Sequence, residues 1–216
     1  ELAWPRYGLK LDDGLLDIDA CFGGSEALVV EVGFGMGDSL LEMAQAAPQQ
    51  RFIGIEVHPP GVGRLINEAR ERGITNLKVY MADATDVLAE CFADNTIDRF
   101  QLYFPDPWHK KKHNKRRIVQ PEFLRLITAK LKPAGSLHMA TDWQPYAEQM
   151  LELLEAAVAD ARPAARTAEL AVQMVSWFER RIVRTHVPLR LRALALLRAL
   201  PHTPAQLRVV SGPRRF

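Results

Sequence analysis

The chain is poor in the residues that would staple it, thread it through a bilayer or cradle a phosphate. Its only cysteines are Cys21 and Cys91, seventy positions apart. That excludes a disulfide scaffold and a cysteine-built metal site, and predicts reduced packing thiols. No apolar run approaches the roughly 20 residues that span a membrane, and no secretory leader is visible. There is no G-x-x-x-x-G-K-[ST] phosphate loop. His109 and His113 are four apart, but no cysteine or third histidine is near, so no metal is expected. With 48% apolar and 25% charged residues in 216, the chain reads as a soluble cytoplasmic protein, large enough for a core without staples.

What is present is unevenly spread. Net charge is +2, yet residues 1–160 carry −7 and residues 161–216 carry +9, the latter with eleven arginines and no lysine. Within the acidic part, "KKKHNKRR" at 110–117 holds six cations. A local patch of this kind points to an anionic partner more strongly than the bulk charge does. The sequence thus divides into a domain over 1–160 and a basic C-terminal segment over 161–216.

Hydrophobic patterning predicts strands at 27–32, 51–57, 77–83, 97–104 and 136–142. Helices are predicted at 39–48, 61–73, 84–92, 120–135 and 146–161, the fourth ending at a Pro-Ala-Gly stop. Strands alternating with helices imply an α/β, doubly wound, mostly parallel sheet with helices on both faces. Ligands of such sheets bind at the carboxyl ends of the strands. Glu31, Glu56, Asp83, Asp106 and Asp142 all fall at or just past predicted strand ends.

"EVGFGMGD" (31–38) carries Gly33, Gly35 and Gly37. A dinucleotide fingerprint needs its third glycine at 38, where this chain has Asp38. A carboxylate there repels a pyrophosphate. The loop suits a phosphate-free ligand that approaches the backbone closely, with Glu31 pairing an ammonium group. S-adenosyl-L-methionine meets those terms. Glu56 is then placed to accept ribose hydroxyls and Asp83 the adenine amino group. A plain tight turn is the alternative for the glycines.

"FPDPWHKKKHNKRR" (104–117) sets Asp106 between Pro105 and Pro107, which stiffen the bend. Trp108 follows, either as a flat face for a planar heterocycle or as a packing residue. The rigid carboxylate then offers an edge acceptor beside that face. No Ser/His/Asp set or cysteine nucleophile accompanies it.

Taken with "EVGFGMG", "IGIEVHPPGVG", "HMATDW" and the opening "WPRYGL", this motif resembles the bacterial tRNA (guanine-N7-)-methyltransferases over about residues 1–160. The resemblance implies a Rossmann-like methyltransferase fold and methyl transfer from S-adenosylmethionine to a guanosine N7 in the tRNA variable loop. It implies cofactor contacts from Glu31, Glu56, Asp83 and Asp106, with Asp106 also catalytic. It further implies substrate contacts from Lys110 and Asp142, and RNA contacts from Lys112, His113, Asn114, Lys115, Arg116 and Arg117. A monomer is expected, with a homodimer as the alternative.

The family pattern weakens towards the C-terminus. In "SWFERR" (176–181), Ser176 stands for the family's threonine and Glu179 for its glutamate, but Trp177 replaces a basic residue. Beyond Arg181 nothing aligns. An amphipathic basic helix, a lineage-specific extension and a tail altered by a shifted reading frame all fit that stretch. Two rival functions stay open: an enzyme of the same fold acting on a small molecule, and a non-catalytic RNA-binding protein.

Overall fold

A computed structural model describes residues 4–24, 26–161 and 171–175. The chain forms two compact units. One comprises the described residues up to Leu102 together with Leu126–Lys132; the other comprises Tyr103–Arg125 and the described residues from Pro133 onward.

The first unit opens with a short helix α1 (Trp4–Tyr7) and strand β1 (Gly8–Leu9), then α2 (Ile18–Phe22), β2 (Leu28–Val32), α3 (Asp38–Ala46), β3 (Arg51–Ile55), α4 (Pro59–Glu71), β4 (Leu77–Tyr80), α5 (Ala84–Cys91) and β5 (Ile97–Tyr103). Its strands lie in the order β1-β4-β3-β2-β5, all parallel. β2 and β3 are buried at every position, as expected of central parallel strands covered on both faces. This is a doubly wound, Rossmann-like arrangement. From β2 the chain proceeds to β3 on one side, while β5 pairs on the other, so the winding reverses beside β2. That reversal opens a crevice at the carboxyl ends of the strands. Val32 pairs with Ile55, so the loops after β2 and β3 leave the sheet level with one another.

Leu40, Leu41 and Ala44 of α3 and Val62, Leu65, Ile66 and Ala69 of α4 pack with Val29, Phe52, Leu77 and Val79 of the sheet in one core. The same core takes in Phe34 from the glycine loop. A β-carbon at Gly54 would come within 2.7 Å of the Phe34 ring. Glycine in mid-strand therefore makes room for the ring that anchors the loop. Burying that ring contributes about 1.5–3 kcal/mol.

Helix α6 (Pro121–Lys130) and strand β6 (Leu131–Ala140) have residues in both units. The second unit continues with α7 (Gln144–Ala161) and β7 (Ala171–Val175). β7 pairs parallel with β6, from Ser136↔Ala171 to Ala140↔Val175. Two expectations change here. The helix predicted to run to residue 135 ends at Lys130, and β6 begins at Leu131 instead of 136. Pro133 cannot continue a helix, and Ala134 takes a left-handed φ of 64°, so the Pro-Ala-Gly stretch is a kink within an extended chain. β7 falls inside the segment set apart by composition. Both cysteines are free thiols. Among the described residues, no helix is long and apolar enough to cross a membrane.

Candidate functional site

In the first unit, the chain leaves β2 through three left-handed turns, at Gly33 (φ 69°), Gly35 (φ 58°) and Gly37 (φ 82°). Any side chain is strained in that region. The space beside Gly33 and Gly35 is open, with nothing within 4 Å of where a β-carbon would stand. Gly33 N–H donates to the Ile55 carbonyl (2.9 Å) and Gly37 N–H to that of Phe34 (2.9 Å), which fixes the loop from both ends. Gly37 is also the N-cap of α3.

Glu56 clasps this loop. One carboxylate oxygen accepts the Gly35 N–H (2.8 Å), and the other accepts those of Val57 (2.7 Å) and His58 (3.0 Å). Three bonds leave part of its acceptor capacity for a ligand. Opposite, Gly61 of α4 lies so close that a β-carbon would stand 2.0 Å from the Gly35 carbonyl oxygen. Arg64, one turn on, donates to the Met36 carbonyl (2.6 Å) and to Asp38 Oδ1 (2.7 Å). Asp38 thus holds negative charge at the N-terminus of α3, the feature that disfavours a pyrophosphate there.

Glu31 lies within β2, 2% exposed, beside Gly54 and Gln101 on the neighbouring strands. It forms the floor of the strand end rather than its rim. Asp83 is exposed and is the N-cap of α5, accepting the Thr85 N–H at 2.7 Å.

In the second unit the turn after β5 is built differently. Phe104 (φ 50°) and Trp108 (φ 43°) are both left-handed, a conformation that is an outlier for bulky side chains. They bracket Pro105, Asp106 and Pro107. Phe104 N–H donates to the Ala140 carbonyl at the end of β6 (2.8 Å). Asp106 is exposed, held by its backbone rather than by its carboxylate.

Residues Lys111–Arg116 wind into a 3-10 helix. Lys110, Lys111, Lys112, Lys115 and Arg116 are exposed, with His113 and Asn114 half-buried. The Trp108 ring is covered by its own loop: the Arg116 guanidinium lies 5.1 Å from its centroid, and the His113 ring packs edge-on at 6.0 Å. Asn114 faces inward too, its amide towards the Trp108 and Lys110 carbonyls (3.2 and 3.3 Å).

Arg117 stands apart from the cations before it. Grouped by sequence with the RNA-facing cations, it is 3% exposed. It donates to the Pro107 carbonyl (2.7 Å) and to Gln149 Oε1 (2.5 Å).

Asp142 is exposed, just before α7. Trp143 is 36% exposed, its ring edge-to-face with His109 at 4.3 Å. Its carbonyl accepts from the Tyr146 and Ala147 N–H groups (3.0 Å each), and its own N–H donates to Thr141 Oγ1 (3.2 Å). Burial pushes the Tyr146 hydroxyl above its ordinary range.

Ser176 and Glu179 lie outside the described residues. Among the described residues, no group of three or more His, Cys, Asp or Glu could hold a metal. Sequence reasoning missed Arg64, Tyr146 and Gln149. Tyr146 and Gln149 stand three apart on α7, a spacing that puts them on one face, but nothing in sequence says what that face meets.

A family model described as "Putative methyltransferase" matches residues 25–189. A Saccharophagus degradans protein is 64% identical over 154 residues, covering 71% of this chain and 67% of its own length. Proteins of Pseudomonas aeruginosa and Stutzerimonas stutzeri are each 54% identical over 187 residues, covering 84% of this chain and 75% and 77% of theirs. All three bear the name tRNA (guanine-N(7)-)-methyltransferase. By these matches the chain belongs to the bacterial tRNA (guanine-N(7)-)-methyltransferase family.

Proposed function

We propose that this chain transfers a methyl group from S-adenosyl-L-methionine to N7 of a guanosine in the tRNA variable loop. The observation that carries the reading is the corner: a carboxylate held out by two prolines and two left-handed aromatics, followed directly by five exposed cations. A small substrate has no use for that strip, and a mere RNA-binding surface has no use for an acid held out on a strained turn beside it.

The first unit fits the cofactor. Open space over Gly33 and Gly35, a clasped Glu56 and a capping Asp83 match a ligand with a ribose and an amine-bearing ring and no phosphate. Glu31, Gly33, Gly35, Gly37, Glu56 and Asp83 would hold it. When bound, it supplies an electrophilic methyl group on a sulfonium centre.

The remaining task is orientation. Asp106 acts as the catalytic residue, fixing the guanine and offsetting the positive charge that the ring acquires. Asp142 presents two acceptor oxygens, which suit the paired N–H donors of a guanine edge. Trp143, rather than the covered Trp108, offers an exposed ring for stacking. Lys110, Lys111, Lys112, Lys115 and Arg116 meet phosphates, with His113 and Asn114 shaping their helix. Labelled cofactor and bulk unmodified tRNA test the whole reading. A methyl group mapped to guanine N7 upholds it; incorporation elsewhere, or none, overturns it.

A further inference from the structure

We propose that Arg117 is a positioning residue for the Asp106 corner and not a contact to RNA; the inference rests on the reading of that corner given above. Of the six cations at 110–117, it alone is buried. Its Nε donates to the carbonyl of Pro107, the residue after Asp106, at 2.7 Å. Proline has no N–H, so this carbonyl is the main-chain handle that Pro107 offers. Another guanidinium nitrogen donates to Gln149 Oε1 at 2.5 Å, and the guanidinium carbon lies 4.7 Å from the Tyr146 ring centroid.

Gln149 and Tyr146 hold more than Arg117. Gln149 Nε2 donates to the Val119 carbonyl (3.2 Å), and the Tyr146 hydroxyl accepts the Val119 N–H (3.2 Å). Two side chains of α7 thus pin both backbone groups of Val119, and Arg117 carries the same hold back to the corner. Because α7 starts directly after Asp142 and Trp143, one brace fixes Asp106 and Asp142 within this unit.

The arrangement needs a planar fork with several donors and a flat face to lie on an aromatic ring. Arginine has both, whereas lysine has a single point of charge. A phosphate contact, by contrast, tolerates lysine. That difference makes the inference testable. Arg117→Lys, Gln149→Leu and Lys111→Ala are compared in the full chain. Binding of unmodified tRNA is measured across salt, methylation is measured in single turnover at saturating tRNA, and hydrogen exchange is followed at residues 104–110.

The brace predicts that Arg117→Lys and Gln149→Leu keep tRNA affinity and its salt dependence while turnover falls on the order of 10- to 100-fold. Exchange at the corner quickens in both. Lys111→Ala instead weakens binding and lowers the salt slope by roughly 0.7–0.9. Should Arg117→Lys fail to fold, Gln149→Leu still decides. The inference is overturned if Arg117→Lys loses affinity and salt slope but turns over normally at saturation. It is equally overturned if Gln149→Leu leaves turnover and exchange as in the parent. A parent chain that methylates no tRNA defeats the functional reading instead, and corner exchange in the two variants then judges the brace by itself.

Discussion

The first unit holds its acids by their carboxylates, and the second holds them by their backbone. Glu56 and Asp83 spend oxygens on main-chain N–H groups, and Glu31 is sunk in a strand. Such acids define a shape that stands before any ligand arrives. Asp106 and Asp142 are exposed, and what surrounds them is braced instead: prolines, left-handed aromatics, a buried arginine and the first turn of a helix. A cradle tolerates acids whose charge is partly satisfied. A group that must meet charge arising during a reaction is better left unsatisfied on a rigid support.

That contrast predicts which measurement each substitution disturbs. Asp106→Asn removes the uncommitted charge and leaves the bend intact. Single-turnover methylation should fall on the order of 10²–10³-fold, far beyond any loss in cofactor affinity measured by calorimetry; equal losses would erase the distinction between the units. Gly61→Ala attacks the cradle. Overpacking against the Gly35 carbonyl costs about 1–3 kcal/mol, expected as weaker cofactor binding and a lower melting temperature, with tRNA affinity retained. Replacing Lys111, Lys112 and Lys115 together by alanine should lower the tRNA salt slope by roughly 2–3 and leave calorimetric cofactor binding alone.

The smallest effect is in alkali. Burial raises the hydroxyl pKa of Tyr80 in the first unit and of Tyr146 in the second. Above about pH 10 the unfolded chain gives up protons that the folded chain keeps. Stability is therefore complete below that pH and declines as pH rises past it. Urea midpoints should drop between roughly pH 9 and 11, and Tyr80→Phe and Tyr146→Phe should each remove part of the drop. A flat profile in the parent would contradict the burial of both rings.

The sheet was legible because buried parallel strands are short apolar runs and their helices carry a 3.6-residue period. The acids at the strand ends followed from it. β1, two residues long, and the start of β6 were not legible. One is too short to show a period, and the other runs through a Pro-Ala-Gly signal that marks a stop in most settings. The corner's character was readable from Pro-Asp-Pro, but the direction of each cation was not. Arg116 and Arg117 are neighbours of one type in sequence, yet one lies over the Trp108 ring at the surface and the other beneath Pro107. Only packing against Tyr146 and Gln149, some thirty residues away in sequence, separates them.

The left-handed backbone at Phe104 and Trp108 carries a consequence for laboratory evolution. Each costs about 1–3 kcal/mol that glycine would refund. A library selected for heat resistance alone should therefore drift to glycine at both positions, yielding hardier variants whose carboxylate wanders. Pairing a melting screen with a methylation screen should find the two rankings inverted at positions 104 and 108.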